Sequence, residues 1–160
     1  MEYLYQDITQ VKGPCAIAHG VNCLGNMNSG VARALFERWP EVKTEYLKVH
    51  REEGWTLGKV RPVNVGDGIT VLNCATQLRH RQAGDPPNYV YADWRAIRSC
   101  LTEAASFCKN QSIDTLYAPK IGCGLGGLDW RNVEPVFNQV AGRAKLRMVV
   151  CLTDTGSSSR

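Results

Sequence analysis

Two stretches of this 160-residue chain gather residues able to hold a phosphate. Residues 18–35 read AHGVNCLGNMNSGVARAL, and residues 119–130 read PKIGCGLGGLDW. Each follows an apolar run and precedes a helical pattern. A strand–loop–helix unit leaves the first amide N–H groups of its helix without partners, and these attract anions. Glycines in such a loop let the backbone touch a phosphate, because no Cβ intervenes. One loop of this kind is commonly a tight turn; two in so short a chain suggest a diphosphate held from both sides.

The second loop also fits a different pattern. Gly122, Gly124 and Gly127 match G-x-G-x-x-G. A dinucleotide-binding fingerprint requires an acidic residue about 20 residues further on. That region holds Lys145, Leu146, Arg147 and Met148, with no acid, which speaks against the dehydrogenase reading. No Walker A loop is present.

Side chains able to move protons are few near these loops. His19 precedes the first loop and belongs to the residue type that titrates near neutral pH. Asp129 closes the second loop, where an aspartate either activates water or caps the helix behind it. Cys123 lies among amide groups that lower a thiol pKa. Arg79, His80 and Arg81 read as a solvated basic patch within reach of an anionic substrate. Trp94 and Trp130 read as packing residues.

The elements that must position these groups alternate along the chain. Strand patterns cover residues 2–5, 15–21, 59–65, 69–75, 115–119 and 146–152, several of them continuous apolar runs suited to burial on both faces. Helical patterns carry Val31, Leu35 and Trp39 behind Asn28 or Ser29 as cap. A second helix starts at Pro40 and ends before Gly54. Val90, Trp94, Ile97, Leu101 and Ala105 mark a third, and Val133, Val136, Phe137 and Val140, stopped by Gly142, a fourth. The pattern predicts a three-layer α/β/α domain over residues 1–152 with a mixed, largely parallel sheet. Its ligands are expected beyond the carboxyl ends of the strands. The loop at residues 82–88, QAGDPPN, interrupts both periods, and residues 153–160 are expected to be a disordered tail.

Composition narrows the class. Hydrophobic residues make up 44% and charged residues 21%, ordinary for a globular chain. A formal charge of +4 is too small to make nucleic acid the expected partner. No apolar run reaches the roughly 18 residues of a membrane span, and MEYLYQDITQ lacks the features of a signal peptide. Cys15, Cys23, Cys74, Cys100, Cys108, Cys123 and Cys151 form no C-x-x-C pair. They read as reduced, mostly buried thiols, which implies a reducing, cytoplasmic setting and no metal site.

The segments YLYQDIT, IAHGVNCLGNMNSGVARALFERWP and APKIGCGLGGLDW closely resemble the macrodomain family of ADP-ribose binders, with the likeness running from Tyr3 to about Leu152. Within it the chain looks most like the compact branch of ADP-ribose 1''-phosphate phosphatases and the terminal ADP-ribose protein glycohydrolase. That branch carries a histidine matched by His19. The resemblance implies that Asp7, beside Ile8, accepts the adenine amino group, as an acceptor-only carboxylate can. It places Asn22 near the distal ribose. It assigns Asn28, Ser29, Gly30 and Val31 to the first phosphate- and ribose-contacting loop, and Gly122, Cys123, Gly124, Leu125 and Gly126 to the diphosphate loop. In the glycohydrolase branch a lysine follows the central strand and an aspartate follows the I-G-C-G-L run. Here Gln77 and Gly126 stand at those positions.

The resulting expectation is a monomeric, cofactor-free macrodomain that hydrolyses ADP-ribose 1''-phosphate, with His19 and Asp129 as catalytic groups. Its alternatives are a non-catalytic ADP-ribose reader and a hydrolase acting on ADP-ribosylated protein.

Overall fold

The computed structural model describes residues 1–153. Strands β1 (Glu2–Tyr5), β2 (Cys15–Asn22), β3 (Val60–Gly66), β4 (Ile69–Gln77), β5 (Thr115–Ala118) and β6 (Arg147–Leu152) form one sheet in the order β1-β6-β5-β2-β4-β3. Every neighbouring pair is parallel except β3–β4. Helices α1 (Gly30–Arg38), α2 (Glu41–Glu52), α3 (Trp94–Asn110) and α4 (Trp130–Ala144) complete the chain. The mixed, largely parallel α/β sheet expected from the sequence is present, and all six strands begin and end within two residues of the apolar runs.

Alternation along β2 divides the core. Ala16 and Ala18 face a cluster built from α3 and α4, including Ile97, Leu101, Val133 and Phe137. Cys15, Ile17 and Val21 face the other cluster, built from α1 and α2, including Leu35, Val42 and Tyr46. Central strands covered on both faces are largely apolar, as β2 and β4 are apart from buried polar residues that include His19 and Asn73.

Two helix boundaries differ from the sequence reading. Val90 is half exposed and lies outside α3. Asp93 sets the start, its carboxylate accepting from the N–H groups of Arg95 and Ala96 at 2.8 and 3.1 Å. A side chain that satisfies two orphan donors outweighs an apolar residue that extends the periodic stripe. At the other end of the fold, α4 runs through Gly142 and stops at Lys145, which adopts a left-handed φ of 53°. All seven cysteines are free thiols. Apart from Thr153, the expected tail lies outside the described residues.

One buried polar group crosses the α1/α2 layer. His19 is fully buried and its Nε2 lies 2.5 Å from Asn73 Oδ1, while Asn73 Nδ2 donates to the Val42 carbonyl at 3.1 Å. The chain β2–β4–α2 is thereby tied through one imidazole and one amide. Because Asn73 Nδ2 is committed to Val42, its Oδ1 must accept, so His19 carries its hydrogen on Nε2. Burial pushes the His19 pKa down to about 4, against a smaller opposing effect of the Asn73 hydrogen bond.

A histidine whose folded pKa lies below its unfolded value of about 6.5 destabilises the fold on acidification. Its stabilising state is complete above pH 6.5 and is lost as pH falls toward 4. Denaturant unfolding should therefore show wild type losing up to about 3 kcal/mol over that window through this residue. His19→Gln keeps the Nε2 donor without the titration, and should lack that component. Equal pH slopes for the two proteins would contradict a buried neutral His19.

Candidate functional site

The parallel pairing of β2 with β5, Ala16 opposite Leu116 and Ile17 opposite Tyr117, carries both glycine-rich loops to the same edge of the sheet. A cleft opens beside them, lined by Gly20, Val21, Asn22, Asn26, Asn28 and Ser29 from the β2 side, by Gln77 at the end of β4 with His80 and Arg81 beyond it, and by Leu125 from the second loop. Its cavity volume is about 190 Å³, that of a shallow cleft open to solvent along the sheet edge.

The first loop is built around Asn22. Its Oδ1 accepts from the Leu24 N–H at 2.9 Å, and its Nδ2 donates to the Asn26 carbonyl at 2.7 Å. From α2, the Tyr46 hydroxyl donates to the Asn22 carbonyl at 2.7 Å and accepts from the Gly25 N–H at 3.1 Å. Trp55 Nε1 in turn donates to the Tyr46 carbonyl. Asn22 lines the cleft, but its side chain mainly folds the loop that the ligand would meet. Tyr46 and Trp55 do the same work and carry no sequence signature beyond their apolar spacing.

The loop then feeds α1. Gly30 takes a φ of +65°, a turn that other residues resist. Ser29 makes no side-chain cap. The first bond into the helix is from the Arg33 N–H to the Ser29 carbonyl, so the amides of Gly30, Val31 and Ala32 have no partner among the described residues. They form a donor array at the positive end of the helix dipole.

The second loop supplies a matching array. The amides of Gly124, Leu125 and Gly126 make no hydrogen bond among the described residues, while the Gly126 carbonyl accepts from Tyr91 and Ala92 at 2.8 and 3.0 Å. Gly126 is required by close packing: a Cβ there would lie 2.6 Å from the Gly122 carbonyl oxygen and 2.9 Å from Ala92 Cβ. The aspartate that the resemblance places at this position in glycohydrolases has no room in this loop.

Several expected site residues stand elsewhere. His19 faces the α2 layer and does not line the cleft. Strand alternation points it into the core, which removes it as the general base. Asp129 is the N-cap of α4, accepting from the Arg131 N–H at 2.9 Å, and it pairs with the Arg131 guanidinium at 2.7 Å. That pairing lowers its pKa, and it too lies outside the cleft lining. The Cys123 thiol is pushed up to about 11 by burial, and its Sγ donates to the Ile121 carbonyl, so it is no thiolate. Trp130 packs edge-on against Phe137 at 4.9 Å.

Asp7 and Ile8 lie beyond the carboxyl end of β1, where the Gln6 N–H donates to the Leu152 carbonyl of β6. One Asp7 oxygen accepts from the Thr9 N–H and hydroxyl at 2.9 and 2.8 Å. From β1 to β4 the sheet spans four strand spacings, about 19 Å, so Asp7 and Gln77 lie far apart along one continuous edge.

The basic patch divides. Arg79 is held by Asp85 at 2.8 and 3.0 Å and stacks over Tyr89 and Tyr91. Arg79, then the Tyr91 hydroxyl, hold the Asp85 carboxyl well below the usual carboxylate range. With that segment fixed, His80 and Arg81 reach the cleft.

The Macro domain family model matches residues 18–137. The chain belongs to the macrodomain family. Among curated relatives, the DNA ADP-ribosyl glycohydrolase of Mycobacterium tuberculosis is 33% identical over 122 residues, covering 74% of this chain and 32% of that protein. The chain thus spans about a third of that relative's length. The ADP-ribose glycohydrolase OARD1 of Bos taurus is 26% identical over 150 residues, covering 89% of this chain and 90% of that protein. Among solved structures, the macrodomain of Mycobacterium tuberculosis DarG superposes with a TM-score of 0.80 at 26% identity, covering 94% of this chain and 95% of that one.

The packing around Gly126 makes a direct test of this macrodomain's second loop. Gly126→Ala should lower stability by about 1–3 kcal/mol in denaturant unfolding. An unchanged midpoint would show that the loop yields freely and that the close approach is unimportant.

Proposed function

We propose that this macrodomain binds ADP-ribose along the sheet edge and hydrolyses a derivative of it at the terminal ribose, ADP-ribose 1''-phosphate being the substrate that suits the cleft best. Adenine lies toward Asp7 and Ile8, the diphosphate between the amides of α1 and those of the second loop, and the terminal ribose toward Asn22 and Gln77. The observation that carries the substrate choice is the charge of the lining: its described residues include amide donors, His80 and Arg81, and no carboxylate or lysine. Such a surface favours an anionic group at the ribose end and offers neither nucleophile for a glycosidic bond.

Relatives named as ADP-ribosyl glycohydrolases support hydrolysis as the class of reaction. Gln77 in the lysine position and the closed packing at Gly126 favour a phosphate ester over a glycosidic bond. The net reaction consumes one water and yields ADP-ribose and inorganic phosphate. Rate gain comes from fixing the substrate and from donors aimed at developing negative charge. A reader without turnover is the second reading, favoured by the position of His19 and Asp129 outside the cleft.

Incubation with ADP-ribose 1''-phosphate and with protein ADP-ribosylated on glutamate separates these readings. Phosphate release from the first is expected. ADP-ribose release from the protein alone would make the chain a glycohydrolase, and tight binding with no turnover would make it a reader.

Asp7→Asn keeps the oxygen that accepts from Thr9 and converts the other into a donor. Calorimetry should show ADP-ribose affinity falling about ten- to a hundredfold with the melting temperature nearly unchanged. Equal affinity would remove Asp7 from the adenine end.

A further inference from the structure

Among the described cleft-lining residues His80 has the one imidazole. Its neighbours define its hydrogen. The Asn28 N–H donates to Asn26 Oδ1 at 3.1 Å, which turns Asn26 Nδ2 toward His80 Nε2 at 3.4 Å. An amide nitrogen only donates, so Nε2 accepts and the neutral ring carries its hydrogen on Nδ1. That Nδ1 is buried and has no partner among the described residues. A protonated ring would set Nε2–H against the Asn26 N–H, donor against donor.

The surrounding charges are uneven. Arg79 and Arg81 flank His80 in the chain; Arg79 is matched by Asp85, whereas Arg81 has no ion pair among the described residues. From α2, Lys43 donates to Asn28 Oδ1 at 3.3 Å. Gln77, Asn22 and Leu125 are neutral, and none of the described lining residues is a carboxylate.

We propose that His80 reads the charge of the ligand. A phosphate oxygen entering between Asn26 and His80 accepts from both, and the ring takes up a proton as the anion binds. Arg81 adds a cation at the rim. The cleft therefore prefers an ADP-ribose derivative bearing a phosphate on its terminal ribose to ADP-ribose itself. This rests on the ADP-ribose reading above.

The probe is the 1''-methylenephosphonate analogue of ADP-ribose 1''-phosphate, which keeps the phosphate charge and resists hydrolysis. Calorimetry in two buffers of different ionisation enthalpy reads both affinity and protons taken up, for this analogue and for ADP-ribose. Wild type should take up more protons with the analogue than with ADP-ribose. In His80→Gln, checked for folding by thermal melting, that excess should vanish. Its preference for the analogue at pH 6 should fall about tenfold, as for loss of a hydrogen bond to a charged group. An unchanged preference in His80→Gln, or proton uptake that persists, overturns the role of His80. Wild type that binds neither ligand overturns the ADP-ribose reading and this inference together; wild type that binds both without distinguishing them overturns only the inference.

Discussion

The parallel pairing of β2 with β5 is the constraint on which the site depends. Residues 22–30 and 119–129 are remote in the chain, and only adjacent parallel strands deliver both to one edge of the sheet. Parallel strands require a covering layer on each face, and that requirement places α1 and α4 directly after the two loops. The helix starts are then unequal. Asp129 caps α4 and answers its dipole, whereas Ser29 leaves the amides at the start of α1 unbonded. An anion entering the cleft meets the uncapped helix.

Donors that stay unpaired must be held apart by other bonds, and the fold supplies these from outside the cleft. Tyr46 fixes the first loop from α2, and the Tyr91 and Ala92 amides fix the second through the Gly126 carbonyl. Asp85 anchors the segment bearing His80 and Arg81 by accepting from Arg79, the Gln82 N–H and the Tyr91 hydroxyl. The backbone is thereby preorganised, so little ordering remains to oppose ligand binding. Electrostatically the result is one-sided: acids lie around the cleft as clamps and caps, and the lining itself is neutral or cationic.

Much of this was legible in the sequence, and the failures have identifiable causes. Apolar runs located the strands because strands buried on both faces carry few polar residues, and those few, His19 and Asn73 among them, pair with one another. The two glycine-rich loops were visible because close backbone approach restricts the residue type, as at Gly126. His19 was misassigned because proximity in sequence to a loop does not say which face of the strand a residue occupies; its register with Ile17 and Val21 pointed it into the α2 layer. Asn22 has the chemistry of a ligand contact and spends most of it on its own loop. Asp93 and Lys145 moved helix ends because capping and left-handed geometry are local effects that periodicity does not register. Tyr46 left no signal, since a core tyrosine and a loop anchor look alike in sequence.

If the unpaired amides of the two loops form one diphosphate site, as proposed, an ADP-ribose titration must reach both of them. Titrating ¹⁵N-labelled protein with ADP-ribose and following the amide resonances tests it most directly. Saturable shifts are expected at Gly30, Val31 and Ala32 and at Gly124, Leu125 and Gly126, sharing one dissociation constant with Ile8 at the adenine end. Shifts confined to one loop, or centred on the groove between α3 and α4 around Thr102 and Gln139, would contradict it.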